Sequence, residues 1–148
     1  MKKPLITIFL AAGVFLGGCS LVEEASNTVT YVNDAVNYMN EANDFVNEVP
    51  PIVTDAVTDQ QKLAELETRL EEMKEEIQAF NELQPPEIAA DLHQQMVDYN
   101  QNTEEGIDLV LSQIENGTLD PAVLENTEIY QSLEEISSIV AQIKQLGQ

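Results

Sequence analysis

The chain has 148 residues, with 27 acidic and six basic side chains and a formal net charge of −21. Phosphate-rich partners need a basic patch, so this charge excludes nucleic acid and polyanionic ligands as binding partners. The length is enough for one small domain with its own hydrophobic core.

The N-terminal residues have the layout of a secretory signal. Lys2 and Lys3 precede an apolar run over residues 5–16, which is too short to cross a bilayer of about 30 Å as a helix. The run ends in Leu16-Gly17-Gly18-Cys19, which resembles the lipobox of bacterial lipoproteins. The resemblance implies that residues 1–18 are a cleaved signal peptide. It also implies that the Cys19 sulfur carries a diacylglyceryl group and that the new N-terminus is acylated, for example with palmitate.

Cysteine usage supports this interpretation, because Cys19 is the only cysteine and an exported chain with one free thiol is unusual. The alternative, a plain signal peptide followed by an incidental cysteine, stays open. The lipoprotein interpretation places the mature chain on the extracytoplasmic face of the cell membrane, held by two or more acyl chains. Cleavage would remove Lys2 and Lys3 and leave 27 acids against four basic residues, a net charge of −23.

Apolar residues recur with helical spacing along the whole mature chain. We therefore predict an all-α fold, an antiparallel bundle of about four helices in an acidic domain over residues 19–148. Proline pairs, a Gly stop and capping residues set the predicted bounds. The predicted helices cover about residues 21–48, 59–83, 86–116 and 121–146. A less regular helical array joined at the proline pairs is the alternative.

Predicted core stripes run along the second and third helices. In the second helix the stripe comprises Leu63, Leu66, Leu70, Met73, Ile77 and Phe80. In the third it comprises Ile88, Leu92, Met96, Tyr99, Thr103, Ile107, Val110 and Ile114. The seam-like spacing in the second helix would also suit self-association, so the sequence leaves the oligomeric state open.

The first helix contains a seven-residue repeat of an aromatic residue, an apolar residue, Asn and an acid. A helical wheel centred on Val32 predicts an apolar arc suited to a bundle, with a border on each side. One border carries Asn33, Asn40 and Asn47, and the other carries Tyr31, Tyr38 and Phe45, whose rings would cover the core while the two tyrosine hydroxyls stay in water. The two borders are candidate interaction surfaces, and a packing role for the repeat is the favoured interpretation.

Signatures of enzyme chemistry are missing from the sequence. His93 is the only histidine and is interpreted as a surface or flank residue, and the sequence contains no HExxH motif or phosphate-binding Gly loop. Residues 98–102 match the start of a calcium loop, but Thr103 and Leu109 replace the required Gly and Glu. We therefore expect no catalytic residue, no metal site and no cofactor other than the lipid on Cys19.

Several stretches of the chain resemble one family of small lipoproteins from spore-forming Gram-positive bacteria. They are GCSL at residues 18–21, the repeat over residues 31–47, AVTD at residues 56–59, the Pro85-Pro86 pair, and ENG with LDP over residues 115–121. The resemblance covers essentially the whole mature chain. It implies a membrane-anchored location and carries no activity, ligand or catalytic residue.

We expect a non-enzymatic helical module that acts through a protein partner at or near the membrane, or in support of the envelope. The alternative is an extracytoplasmic ligand-binding or sensor bundle with its site between helices. Such a site would be lined by aromatic residues, namely Tyr31, Tyr38, Phe45, Tyr99 and Tyr130.

Overall fold

A computed structural model describes residues 19–147, and these residues form a helical bundle, which confirms the predicted fold class. The long helices are α1 (Cys19–Ala56), α2 (Gln60–Asn81), α3 (Ala90–Glu115) and α5 (Ile129–Leu146). A 3₁₀ turn (Glu87–Ala89) precedes α3, and the short α4 (Val123–Asn126) precedes α5. The predicted signal peptide, with Leu16, Gly17 and Gly18 of the lipobox, lies outside the described residues. The backbone of Cys19 is described as the first residue of α1.

The long helices are arranged as a ring of neighbours. α1 packs against α2 and α5, and α3 packs against the same two helices, so α1 and α3 face each other along one diagonal. Short connections make each long helix antiparallel to the one before it. No helix in the described part of the chain is both long and apolar enough to cross a membrane.

Helix α1 does not end near residue 48 but continues through Pro50 and Pro51 to Ala56, so the predicted boundary is wrong. A proline inside a helix removes one backbone hydrogen bond and costs about 3 kcal/mol. Both prolines are exposed, while Val49, Ile52 and Val53 on the other face are buried. Burial of each such side chain contributes roughly 1.5–3 kcal/mol, which offsets the strain and keeps the last turns helical.

The other predicted bounds are shifted by a few residues. Asp59 caps α2, and its carboxylate accepts hydrogen bonds from the backbone N–H groups of Gln61 (2.8 Å) and Lys62 (3.4 Å). The predicted third helix divides into the 3₁₀ turn and α3. The predicted fourth helix divides into α4 and α5, because the chain is extended at Thr127.

Aliphatic side chains dominate the centre of the bundle. The largest that are fully buried are Leu66, Leu70, Ile77, Met96, Ile107, Ile129, Ile136 and Ile143. In α2 the predicted stripe from Leu66 to Phe80 is buried in this core, so it is not available as a dimer seam. In α3 the predicted Met96, Thr103, Ile107 and Val110 are buried, whereas Ile88, in the 3₁₀ turn before it, is 62% exposed.

Helix α3 approaches the start of α5 closely at Gly106. A Cβ atom at this position would lie 2.5 Å from Cγ1 of Ile129 and 3.3 Å from Cβ of Thr127. Ile129 is fully buried and has little room to move away. The missing side chain of Gly106 therefore permits this helix contact.

We predict that Gly106→Ala destabilises the protein by about 1–3 kcal/mol in chemical denaturation, because overpacking outweighs the gain of about 0.5–1 kcal/mol in helix propensity. The matched test is a double-mutant cycle with Ile129→Ala, which removes the clashing atoms. In that background Gly106→Ala should become neutral or stabilising. An equal cost in both backgrounds would show that the contact with Ile129 is not the cause.

Candidate functional site

The aromatic column of α1 lies in the core and not at its edge, which corrects the predicted border. Tyr31, Tyr38 and Phe45 are each only 3% exposed, and Ala35 and Ala42 between them are also buried. The core-facing side of α1 is therefore centred between Tyr31 and Ala35, about 80° away from Val32 on the helical wheel. The small alanines leave room for neighbouring helices beside the large rings.

The asparagine column, in contrast to the aromatic column, lies on the surface. Asn33, Asn40 and Asn47 are all exposed, on the side of α1 that points away from the core. The Asn47 amide donates a hydrogen bond to the Asn43 carbonyl within the same helix, at 2.7 Å. This column remains available as a surface, whereas the aromatic column is used for packing.

His93 is buried, only 8% exposed, so its interpretation as a surface or flank residue is wrong. Its Nδ1 lies 3.0 Å from the Tyr31 hydroxyl. The ring also forms a hydrogen bond with the Asn81 backbone that raises the His93 pKa, which requires a ring N–H to donate.

A second polar chain lies one heptad further along. The Tyr38 hydroxyl donates to Oδ1 of Asn100, which is fully buried. The amide of Asn100 in turn donates to Oδ1 of Asn81, at 2.7 Å. Asn81 at the end of α2 thus joins both polar pairs, through its backbone and through its side chain.

The ring of Phe80 closes the cluster from α2. It stacks on Tyr38 with centroids 4.7 Å apart and an interplanar angle of 22°. It also lies 5.1 Å from the His93 ring and 6.3 Å from the Tyr31 ring. We call the six residues Tyr31, Tyr38, Phe80, Asn81, His93 and Asn100 the polar core cluster.

The polar core cluster sets the register of α1 against α3. Both polar pairs join residues 62 positions apart, which means that the two helices run parallel with matched heptads. At the same offset further along, Phe45 and Ile107 are both apolar and buried. A slip of one helical turn would leave several buried polar groups without partners, each costing about 1–3 kcal/mol.

Burial keeps the ionisable members of this cluster neutral. It lowers the pKa of His93, an effect that the hydrogen bond to Asn81 partly opposes. Burial also raises the pKa of Tyr31. The pKa of Tyr38 is raised mainly by burial and further by the nearby negative charges of Glu104 and Glu76. A neutral, internally hydrogen-bonded and solvent-excluded group of this kind is suited to specifying a fold.

The calcium-like stretch at residues 98–102 forms part of the continuous helix α3, and its Asn100 belongs to the polar core cluster. Among the described residues, no group of three or more His, Cys, Asp and Glu side chains is arranged to hold a metal ion.

Shallow grooves lie between the helices. Two adjoin along α1 and α2, with volumes of about 340 and 200 Å³, and Glu76 lines both. A third of about 310 Å³ lies between α1 and the start of α5 and is lined by Pro50, Val53, Pro121 and Tyr130 among others.

The Tyr130 hydroxyl is buried without a hydrogen-bond partner in the described part of the chain, and burial raises its pKa to about 12. Tyr99 is half-buried at the edge of the core.

Comparison with known proteins places these features in a family. The model of the family described as "Family of unknown function (DUF6376)" matches residues 31–146, from the first residue of the polar core cluster to the end of α5. The chain belongs to this family. It is also 29% identical to the "Uncharacterized lipoprotein YybP" of Bacillus subtilis (strain 168) over 147 residues, which is 99% of each chain. No solved structure matches the chain.

The buried His93 predicts a specific pH dependence of stability. Its folded pKa lies below the unfolded value of 6.5, so the unfolded chain takes up a proton first as the pH falls. The stabilisation is complete above pH 6.5 and declines as the pH falls towards the folded pKa. We expect the difference in unfolding free energy between wild type and His93→Gln to shrink over this range, measured by denaturant titration at constant ionic strength. A difference that does not vary with pH would contradict the assignment of His93 as neutral and buried.

The hydrogen bond between Tyr38 and Asn100 yields a second prediction. Tyr38→Phe leaves the buried Asn100 oxygen without a donor and should lower the unfolding free energy by about 1–3 kcal/mol. Combining it with Asn100→Leu replaces both partners by apolar groups and should recover most of that loss, since the half-buried Asn81 can turn to water. Strictly additive losses in the double variant would show that the pair is not energetically coupled.

Proposed function

We propose that the protein is a lipid-anchored extracytoplasmic module that works through protein–protein contact at the membrane and not through catalysis. The observation that carries the anchoring is the similarity to a lipoprotein over 99% of both chains. Because that match includes the N-terminal region, it supports the same processing at the Leu16-Gly17-Gly18-Cys19 sequence of this chain.

The position of α1 supports a defined distance from the membrane. The helix begins at Cys19, and Tyr31 is its first residue in the hydrophobic core cluster. The intervening helix of about a dozen residues rises about 18 Å at ~1.5 Å per residue. A lipid on Cys19 would therefore hold the acidic bundle close to the bilayer yet clear of anionic headgroups, within reach of other membrane-attached proteins.

The use of the polar residues supports a non-catalytic role. His93, the side chain best suited to acid–base chemistry near neutral pH, is occupied by Tyr31 and the Asn81 backbone inside the core. The carboxylates on the outer faces of α2 and α3 are exposed or half-buried, as is usual for a solvated acidic surface.

A ligand-binding bundle is the second candidate. It is favoured by the groove between α1 and the start of α5, which Tyr130 lines. A buried hydroxyl without a partner, such as that of Tyr130, is uncommon, and the groove beside it has a volume of about 310 Å³. A small apolar ligand with a carbonyl acceptor would suit that groove. The aromatic residues Tyr31, Tyr38 and Phe45 do not favour this candidate, because their rings are packed in the core.

The anchoring is tested by Cys19→Ser in the full chain, with Ser20→Ala as the neighbouring control. We expect wild type and the control to sediment with membranes and to incorporate a labelled fatty acid. The Cys19→Ser chain should lose the label and at least ten-fold of its membrane-bound fraction, because one removed thiol removes the acyl attachment. Unchanged membrane binding of Cys19→Ser would overturn the proposal.

A further inference from the structure

A second apolar stripe runs along α1 beside the stripe that enters the core. Val29, Val32, Val36, Met39 and Val46 belong to it, and the alternating spacing of three and four residues is completed by Asn43. The sequence continues the same spacing back to Val22 and Ala25. This is the a/d pattern of a coiled-coil helix, repeated over about four heptads. We call the stripe over residues 29–46 the α1 seam.

The α1 seam is only partly covered within the bundle. Val29 is 50% exposed, and Val32, Val36, Met39 and Val46 are half-buried at the edge of the core. Gly147 after α5 lies beside Val32, so the end of α5 borders the seam without closing it. The core itself is filled by the other stripe of α1, which comprises Tyr31, Ala35, Tyr38, Ala42, Phe45 and Val49.

Charge is excluded from the seam and its flanks. With the seam residues at heptad positions a and d, the flanking e positions hold Ser26, Asn33, Asn40 and Asn47, and the g positions hold Leu21, Thr28, Ala35, Ala42 and Val49. Every acid of α1 up to residue 48 falls at positions b, c or f. These acids are Glu23, Glu24, Asp34, Glu41, Asp44 and Glu48.

The positions of these acids indicate which partner the α1 seam can bind. A basic partner would be drawn to the carboxylate-bearing faces, whereas the seam offers it no opposite charge. A second copy of this chain carries the same 27 acids and would be repelled wherever carboxylates face each other. The α1 seam is the face of this helix on which two copies can meet without opposing charges, and the exposed Asn column beside it is polar but uncharged.

The lipid anchor fixes the direction of the pair. Two copies attached through Cys19 to one face of a membrane have parallel α1 helices in matched register, a step that rests on the proposed function. Confinement to the membrane also raises their effective concentration. Asn43 occupies an a position and is exposed, and a single Asn at such a position sets register in parallel two-stranded coiled coils.

We propose that two copies of this protein associate in parallel through the α1 seam, with Val29, Val36 and Asn43 of each copy facing the same residues of the other. The occupant of the seam is thus a second copy of the chain, and the exposed Asn33, Asn40 and Asn47 form the rim of the interface.

The test is disulfide formation by Val29→Cys in the full chain, in membranes of expressing cells treated with a mild oxidant. Equivalent a positions face each other in a parallel pair, so we expect a dimer of twice the chain mass. The matched control is Leu109→Cys on α3, because Leu109 is also apolar and 50% exposed. We expect at least ten-fold less dimer from the control. Equal yields, no dimer, or linkage of Val29→Cys to a protein of another mass would overturn the proposal.

Added charge provides a second measurement. Replacing Asn33, Asn40 and Asn47 with Asp introduces three carboxylates at the rim and should lower the yield of Val29→Cys dimer at least ten-fold. Gln61, Gln94 and Gln101, all exposed on α2 and α3, are replaced with Glu as the control for total charge. That control should keep the dimer, and equal melting temperatures would show that both variants fold. An equal loss of dimer in both variants would mean that the added charge acts through general repulsion between the chains and not at the seam.

The proposals of anchoring and of pairing are tested separately when the oxidation is repeated in a Cys19→Ser background. This experiment uses the purified chain at high concentration. Specific dimer from Val29→Cys in that background supports the seam even if the chain proves not to be lipidated. If Cys19→Ser releases the chain from the membrane while Val29→Cys fails to link in the anchored form, the proposed anchoring stands and the seam proposal falls.

Discussion

Pairing between α1 and α3 across the diagonal of the bundle determines how the other helices are placed. Tyr31 with His93 and Tyr38 with Asn100 fix both the direction and the register of these two helices, and Asn81 ties the end of α2 to the same cluster. Aliphatic packing alone tolerates small shifts of one helix along another. Buried hydrogen bonds do not, because each shift leaves a donor or acceptor unpaired.

Charge is the second constraint on this molecule. Arg69 bridges Glu48 of α1 and Glu72 of its own helix, and Lys74 of α2 pairs with Asp108 of α3. Such exposed pairs contribute little each, typically below about 1 kcal/mol. They link neighbouring helices where carboxylates crowd, but the chain has only six basic residues against 27 acidic ones. Apolar burial and the polar core cluster must therefore supply most of the stability.

The helices themselves were predictable from spacing, but the face that each turns inward was not. The first helix carries two adjacent heptad stripes, and the aliphatic one centred on Val32 is the more hydrophobic by composition. The other enters the core because Ala35 and Ala42 permit close approach and because Tyr31 and Tyr38 have polar partners on α3. The spacing of seven residues shared by Tyr31 and Tyr38 and by His93 and Asn100 was the available signal. Without the partner helix in view, a lone histidine beside Leu92 resembles a surface residue, and Pro50-Pro51 resembles a helix end.

The distribution of charge on α1 also limits how far self-association through the α1 seam can extend. Once two copies share the seam, the faces of α1 left in water are those that carry Asp34, Glu41, Asp44 and Glu48. The outer faces of α2 and α3 add further exposed acids, among them Glu71, Glu75 and Glu105. A third copy would meet carboxylates on every such approach, so repulsion favours a closed pair over an open array. The same acidity would thus disfavour assembly through any of the carboxylate-bearing faces.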